Sequence, residues 1–311
     1  MALNQIVCED RASWLEQRRR GLGASDAAAA IGVSSYRGPV HVYFDKRGIA
    51  APDATQSLAQ QIGNALEAPI LELYEQRTGL PISRLGSYTI LFDDRRPWMI
   101  ATLDARNAHG IVEVKTANLT SYGRHDWESG PPRDYLVQVQ HQMAVTGEPR
   151  AVIVALVGGH GLLEWTIERD EAFIDALIAA ESAFWVNYVV PGVVPAPTSD
   201  EDAALLRKLL IPEPDTSVTL PDEAREWDRM KQDGDALIRQ GKTMVESAEG
   251  LILLKMGTAA VGRIPQTDIE YRRAKVERGG YYVKPTSYTT MRRFEPKKKP
   301  EKEANTNAAD R

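Results

Sequence analysis

The stretch ATLDARNAHGIVEVKTA (101–117) sets an aspartate, Asp104, and a Glu-x-Lys pair, Glu113 and Lys115, in otherwise apolar, strand-like sequence. Carboxylates and ammonium groups cost free energy to bury, so strands that face a core exclude them unless something compensates the charge. Residues two apart on a strand share a face. Glu113 and Lys115 therefore project together, and Asp104 reaches the same patch if its strand pairs with theirs. Two carboxylates and one ammonium leave a surplus of negative charge that a divalent cation would balance, and oxygen donors of this kind suit Mg²⁺ or Mn²⁺. Such an ion holds a phosphate oxygen, lowers the pKa of a bound water and stabilises the charge of an in-line displacement at phosphorus. Lys115 would orient or deprotonate that water, or neutralise the crowded phosphorus centre. The pattern alone also fits a solvated strand face of alternating charges.

Two further side chains bear on the choice. Glu67, in GNALEAPILELYE between Gly63 and Pro69, lies on a helix from which it could approach from the opposite side, while Glu72 and Glu75 read as the solvated face. Gln138, in QVQHQ (138–142), falls beside the apolar strip of its helix and could bridge a phosphate or the attacking water. His141 is rotated away from it and reads as structural. GGHG (158–161) sits between two strands as a hairpin turn and lacks the lysine and hydroxyl of a phosphate loop.

The elements that must position these groups are legible from period and punctuation. Helices are expected over about 10–20, from Ser25 as N-cap to Gly32, from Pro39 to Gly48, and through LAQQIGNALEAPILELYEQRTG to Gly79. ISRLGSYTILF, WMIATLD and GIVEVKTA follow as strands, expected to be consecutive antiparallel neighbours. A helix at RDYLVQVQHQMAVTG, strands AVIVALV and LLEWTIE, and the helix DEAFIDALIAAESAFWVNYVV complete a mixed α/β layer. The Pro-rich stretch 191–202 marks a boundary, giving a first domain over 1–196. A second, 197–296, holds a helix of over thirty residues, or two broken at Gly234 or Gly241, then a small β-meander with a Gly279-Gly280 turn. The tail 297–311 has no apolar residue beyond alanine and proline and is expected to be disordered.

Composition sets limits. A chain of 311 residues, 43% hydrophobic and 26% charged, has the make-up of a soluble globular protein. The single cysteine, Cys8, excludes an intramolecular disulfide and a Cys-based zinc site, and with no signal peptide or membrane span in view the cytoplasm is expected. AVIVALV is the longest span candidate, so no membrane partner is expected. The net charge of −5 conceals an asymmetry: residues 200–250 carry thirteen acids against seven bases, residues 271–299 ten bases against two acids with aromatics interleaved. Arg272, Arg273, Lys275, Lys284, Arg292 and Arg293 could line a DNA groove, or guard a solvated sheet edge.

Four blocks, WLEQRRRGLGASDAAAAIG (14–32), GNALEAPILELYEQRTG (63–79), the ATLDA and VEVK pair (101–115) and YLVQVQHQMAVTG (135–147), resemble in order the lambda-exonuclease-like, YqaJ-type phage recombination exonucleases of the PD-(D/E)XK nuclease superfamily. Leu103 stands where the superfamily often has proline, a position that ligates nothing. The resemblance implies a PD-(D/E)XK restriction-endonuclease-like α/β (α+β) core, a central mixed sheet flanked by helices. It implies Glu67, Asp104, Glu113 and the carbonyl of Val114 as metal ligands, Lys115 as the catalytic lysine and Gln138 as the motif glutamine. Arg18 and Ser25 match positions that bind a terminal 5′ phosphate, a role an arginine fork and a helix N-terminus suit, and Thr102 could join them. The activity implied is Mg²⁺-dependent (Mn²⁺ possible) 5′→3′ degradation of one strand from phosphorylated ends of linear double-stranded DNA. The partners implied are a single-strand annealing protein and further copies of the chain in a homotrimeric ring, in a bacterial or prophage setting. A structure-specific endonuclease and a silent DNA-binding or assembly protein are the alternatives on the same core; the intact carboxylates speak against the silent one.

Overall fold

The computed structural model describes residues 3–49, 57–117, 127, 129–158, 161–277 and 291. Lys284, Arg292, Arg293, the Gly279-Gly280 turn and the tail 297–311 lie outside the described residues. The chain divides into two compact units, Met1–Leu210 and Ile211–Arg311.

The first unit runs β1 (Leu3–Val7), α1 (Arg11–Arg19), β2 (Leu22–Gly23), α2 (Ala24–Ala30), α3 (Pro39–Lys46), α4 (Leu58–Thr78), β3 (Thr89–Asp93), β4 (Met99–Ala101), β5 (Ala105–Asn107), β6 (Gly110–Ala117), α5 (Arg133–Thr146), β7 (Arg150–Val157), β8 (Leu162–Glu168), α6 (Glu171–Phe184) with a π turn over Trp185–Val189, and α7 (Asp200–Leu209). Local chemistry sets most ends. Asp10 and Ser13 cap α1 reciprocally, Ser57 and Gln60 do so for α4, and Gly79 and Gly147 close α4 and α5 in the left-handed region, where a glycine pays no Cβ penalty.

The strands form two sheets, ordered β1-β3-β4-β2 and β5-β6-β7-β8. This corrects the expected run of three antiparallel neighbours. β3 and β4 do pair antiparallel, but β6 lies in the other sheet, antiparallel to β5 and parallel to β7. The polar ARNAH segment (105–109) between two of the expected strands is itself largely strand: Ala105 pairs with Val112 and Asn107 with Gly110. The chain thus changes sheets between Ala101 and Ala105, and Asp104 stands in that crossing. The hairpin closes on Gly110, whose φ of +133° is closed to L side chains and whose added Cβ would lie 2.2 Å from the Arg150 carbonyl oxygen.

Both faces of the β6–β7 pair are covered. Ile70, Leu71 and Tyr74 of α4 pack on Val112, Val114, Val152 and Val154; on the other face Ile111 and Ile153 pack with Val139 and Met143 of α5 and Ile174 of α6. Alternation places Glu113 with Ile111, toward α5. Each aliphatic side chain so buried is worth ~1.5–3 kcal/mol, and the two layers fix the strand on which the charges sit.

A buried polar strut ties α5 to its neighbours, in keeping with the structural reading of His141. The ring has no exposure; Nδ1 lies 2.8 Å from Glu181 Oε1 and Nε2 lies 3.0 Å from the Ile100 carbonyl oxygen. Two acceptors facing two ring nitrogens favour the imidazolium. Burial opposes that charge, but Glu181 and the Ile100 carbonyl outweigh it and raise the pKa above the ordinary histidine value. The helix carrying Glu181, Glu171–Val189, has the length and a mean hydropathy of 1.2 compatible with a bilayer span, so AVIVALV is not the longest such candidate. Its Ile174, Leu177, Phe184 and Val189 are nevertheless packed in the core and its Glu181 is paired there.

The compact unit extends past the expected limit at 196, through a helix the sequence reading did not separate from its Pro-rich neighbour. Ser199 caps α7, acids fill its first turn and Arg207 and Lys208 its last. Its Asp202 is buried, accepting from the backbone N–H groups of His41 (3.2 Å) and Thr198 (3.1 Å). The second unit contains α8 (Ala224–Met256), continuous through Gly234 and Gly241, and one antiparallel pair, β9 (Val261–Arg263) with β10 (Glu270–Arg272), of the expected meander.

Gly110→Ala is expected to lower stability by at least ~2 kcal/mol in urea denaturation, through backbone strain at the hairpin. For His141 the raised pKa means its contribution is complete below the unfolded-state value and is lost as pH rises through the folded-state value. The Tm gap between the unsubstituted chain and His141→Gln should therefore be widest below about pH 6.5 and narrow on the alkaline side.

Candidate active site

Asp104 and Glu113 meet where the sheets exchange the chain. Asp104 Oδ2 accepts the Val114 N–H at 2.8 Å, a bond the β5–β6 register makes possible. Glu113 is 3% exposed and receives three donors: Lys115 Nζ at 2.5 Å and Gln138 Nε2 at 2.6 Å on Oε1, and Gln142 Nε2 at 2.7 Å on Oε2. Lys115 also lies over the Tyr135 ring, 4.8 Å from its centroid. Gln138 and Gln142 are four apart on α5 and share the face turned to Glu113. The sequence reading singled out the first and missed the second, although that spacing was the available signal.

The electrostatics are unfavourable without a further cation. Burial, then Glu113, push the Asp104 carboxyl well above the usual carboxylate range. Lys115 is shifted upward: burial disfavours its charge, but Glu113 and Asp104 more than offset that. Glu67 acts on both at longer range, while its own carboxylate is held by Arg84 at 2.7 Å. Among the described residues no three His, Cys, Asp or Glu side chains are gathered closely enough to hold a metal ion. The expected four-ligand set is thus not assembled: Asp104 and Glu113 are adjacent, Glu67 is turned to Arg84, and Lys115 occupies Glu113.

Opposite these carboxylates stands a basic wall. A pocket of about 140 Å³ is lined by Arg18, Ser25, Thr102, Asp104, Glu113 and Gln138, with Trp14 and Ile100 among its other walls. Arg18 donates to Ser25 Oγ at 2.9 Å and lies over the Trp14 ring at 4.9 Å. Ser25 is not the N-cap of α2, as expected; Gly23 is. Asp26 Oδ2 accepts the Gly23 N–H at 3.3 Å, the bond an N3 side chain makes back to the N-cap, and the Ser25 hydroxyl accepts from Arg18.

Asp26, which the sequence reading passed over, anchors this wall. It is buried and pairs with Lys46 Nζ at 2.7 Å, Arg37 at 2.5 Å and Arg18 at 3.5 Å. Burial alone would raise its pKa, but Lys46, Arg18 and Arg37 together hold it far below the usual range. Three cations on one carboxylate leave the wall positively charged, suited to an anion. No local pattern announces this group, because its members come from α1, α2, α3 and the loop between the last two.

The basic residues expected to line a groove belong to the second unit. Arg272 pairs with Glu270, Arg273 donates to the Gly257 carbonyl at 2.5 Å, and Lys275 pairs with Glu277 at 2.6 Å.

Asp26→Asn leaves Lys46 and two arginines without a counter-charge. It is expected to destabilise the unit by ~3–5 kcal/mol in chemical denaturation, with part recovered when Lys46→Met is added.

Comparison with known proteins shows what these residues are similar to. Residues 13–149 match the YqaJ-like viral recombinase domain. The uncharacterized protein YqaJ of Bacillus subtilis (strain 168) is 32% identical over 201 residues, 63% of this chain, and this chain spans 61% of that relative's length. Among solved structures, the alkaline exonuclease LHK-Exo from Laribacter hongkongensis gives a TM-score of 0.47 at 22% identity, covering 63% of this chain and 97% of that one. A phage related exonuclease from Haemophilus somnus 129PT gives 0.41 at 14% identity, covering 53% and 91%. The matched segment, which contains Arg18, Ser25, Asp104, Glu113, Lys115 and Gln138, is similar to the YqaJ-like viral recombinase domain.

Proposed function

We propose that this chain is a Mg²⁺-dependent exonuclease that removes nucleotides 5′→3′ from phosphorylated ends of linear duplex DNA, leaving a 3′ strand for an annealing protein. The observation that carries the reading is one small pocket with a basic wall, Arg18 and Ser25, and an acidic wall, Asp104 and Glu113. Such a pocket suits a strand end: the terminal phosphate on the first wall and the next phosphodiester on the second.

The donor set fits a hard dication in kind, since Asp104, partly buried, and Glu113, buried, are oxygen donors whose mutual repulsion a cation would relieve. Asp104, Glu113 and the Val114 carbonyl would hold it, with Glu67 joining on release from Arg84. Bound there, Mg²⁺ (or Mn²⁺) would supply Lewis-acid stabilisation of phosphate charge and a more acidic water. The chain's own groups do the rest. Lys115 keeps its proton on Nζ and offsets charge on the phosphate oxygens; Gln138 directs its amide toward the same space; Arg18 and Ser25 fix the end so that one bond is presented. Thr102 adds a hydroxyl beside them. Arg272, Arg273, Lys275, Lys284, Arg292 and Arg293 are assigned to the duplex backbone, and a ring of three copies would keep the enzyme on its track.

The test is digestion of duplex DNA with Mg²⁺ or with chelator. Linear 5′-phosphorylated duplex should be degraded, 5′-hydroxyl ends more slowly, and covalently closed circles spared; cutting of circles would replace the exonuclease reading with the endonuclease one. Lys115→Ala and Asp104→Ala should each lower the rate at least ~100-fold while leaving the circular dichroism spectrum unchanged. Cleavage by either variant at the unsubstituted rate would remove the assignment.

A further inference from the structure

The second unit carries an apolar seam that nothing in its described residues covers. None of the 33 residues of α8 is buried, yet Met230, Leu237, Met244 and Leu251 recur every seventh residue and are 70, 68, 65 and 65% exposed. Between them, also seven apart, stand Gly234, Gly241 and Ala248. A seven-residue apolar repeat kept over this length, ~50 Å of helix, is the pattern of a helix that packs along another helix of the same pitch.

We propose that α8 pairs antiparallel with α8 of a second copy of this chain. Large and small residues alternate along the seam. In a parallel pair like would meet like, small facing small across a gap. In an antiparallel pair the two sets face one another: with Gly241 opposite Met244 of the second copy, Gly234 meets Leu251 and Leu237 meets Ala248. Leu237, Met244 and Leu251 then each have a hollow to fill, Met230 lies opposite the aliphatic stem of Lys255, and Ile238 falls beside Val245 of the second copy.

Two observations on the surface fit that register independently of the repeat. The missing side chain at Gly234 leaves a groove between Met230 and Leu237, rimmed by Glu226, Arg229 and Asp233, net negative. The occupant the register assigns to it, Leu251, is followed one turn later by Lys255, which arrives beside Glu226 and Asp233. Among the described residues Glu226, Asp233 and Lys255 have no ion-pair partner within their own copy. The groove is thus complementary in shape and in charge to the far end of the same helix. The pairing is independent of the nuclease reading, and since a two-fold contact does not itself close a ring, it would add to any ring the first unit forms.

Cysteine cross-linking of the full chain tests this, in a Cys8→Ser background with Gly234→Cys and Leu251→Cys made as separate variants. Under mild oxidation a mixture of the two should give a covalent dimer, and neither alone should. Dimers in the single-variant samples would establish a parallel pair instead, and no dimer in the mixture would overturn the proposal. In sedimentation, Leu237→Glu with Met244→Glu should halve the mass of the particle, while Gln232→Glu on the outer face should leave it unchanged. Because no part of α8 is buried within one copy, both variants should keep their circular dichroism signal and the catalytic rate per chain. A doubly substituted chain with the mass of the unsubstituted one would equally refute the pairing.

Discussion

The first unit is organised around ionised groups buried at a loss of solvation. An isolated carboxylate or ammonium in a packed interior is tolerated only when paired and hydrogen-bonded. Here the condition is met repeatedly: Asp26 by Lys46 and two arginines, His141 by Glu181, Asp202 by backbone N–H groups, and Glu113 by Lys115 and two glutamines. Asp104 is the exception. It has one backbone donor and repelling carboxylate neighbours, and its pKa is raised where that of Asp26 is depressed. Groups left in electrostatic debt of this kind are more frequent at functional sites than elsewhere, and the contrast with Asp26 marks the partly buried Asp104 as a candidate without appeal to any relative.

The apolar architecture explains why the charges converge. Valines on one face of β6 and β7 hold α4, and Ile111 and Ile153 on the other hold α5, so β6 is clamped from both sides and its polar positions are fixed toward the Gln138–Gln142 face. The crossover between sheets then brings Asp104 in from the side. The polar wall opposite depends on similar packing, since Leu22 of β2 clusters with Ala29, Val40, Val42 and Phe44 of the α2–α3 layer that carries Asp26 and Lys46.

The second unit is built on the reverse principle. Its long helix has little beneath it, and its apolar residues face outward at a strict interval. Exposed apolar surface of this regularity is stable in water when association covers it. One chain therefore joins a unit that pairs most of its buried charges internally to one whose long helix leaves a regular apolar seam exposed.

Local sequence determined most of the helices and several of their ends, because caps and glycine stops act within a few residues; it did not set apart α7 or place the cap of α2 at Gly23. It also determined that Glu113 and Lys115 share a face, because strand periodicity admits no other arrangement, and it marked Gln138 through its place on a helical stripe. Tertiary structure alone decided that the Asp104 segment would leave one sheet for the other, that Glu67 would turn to Arg84, and that Arg18, Arg37 and Lys46 would meet on Asp26. Those outcomes turn on which distant groups neutralise a buried charge and on which strand edge is free to pair. Both depend on contacts between residues far apart in the chain, and no periodicity within a single segment encodes them.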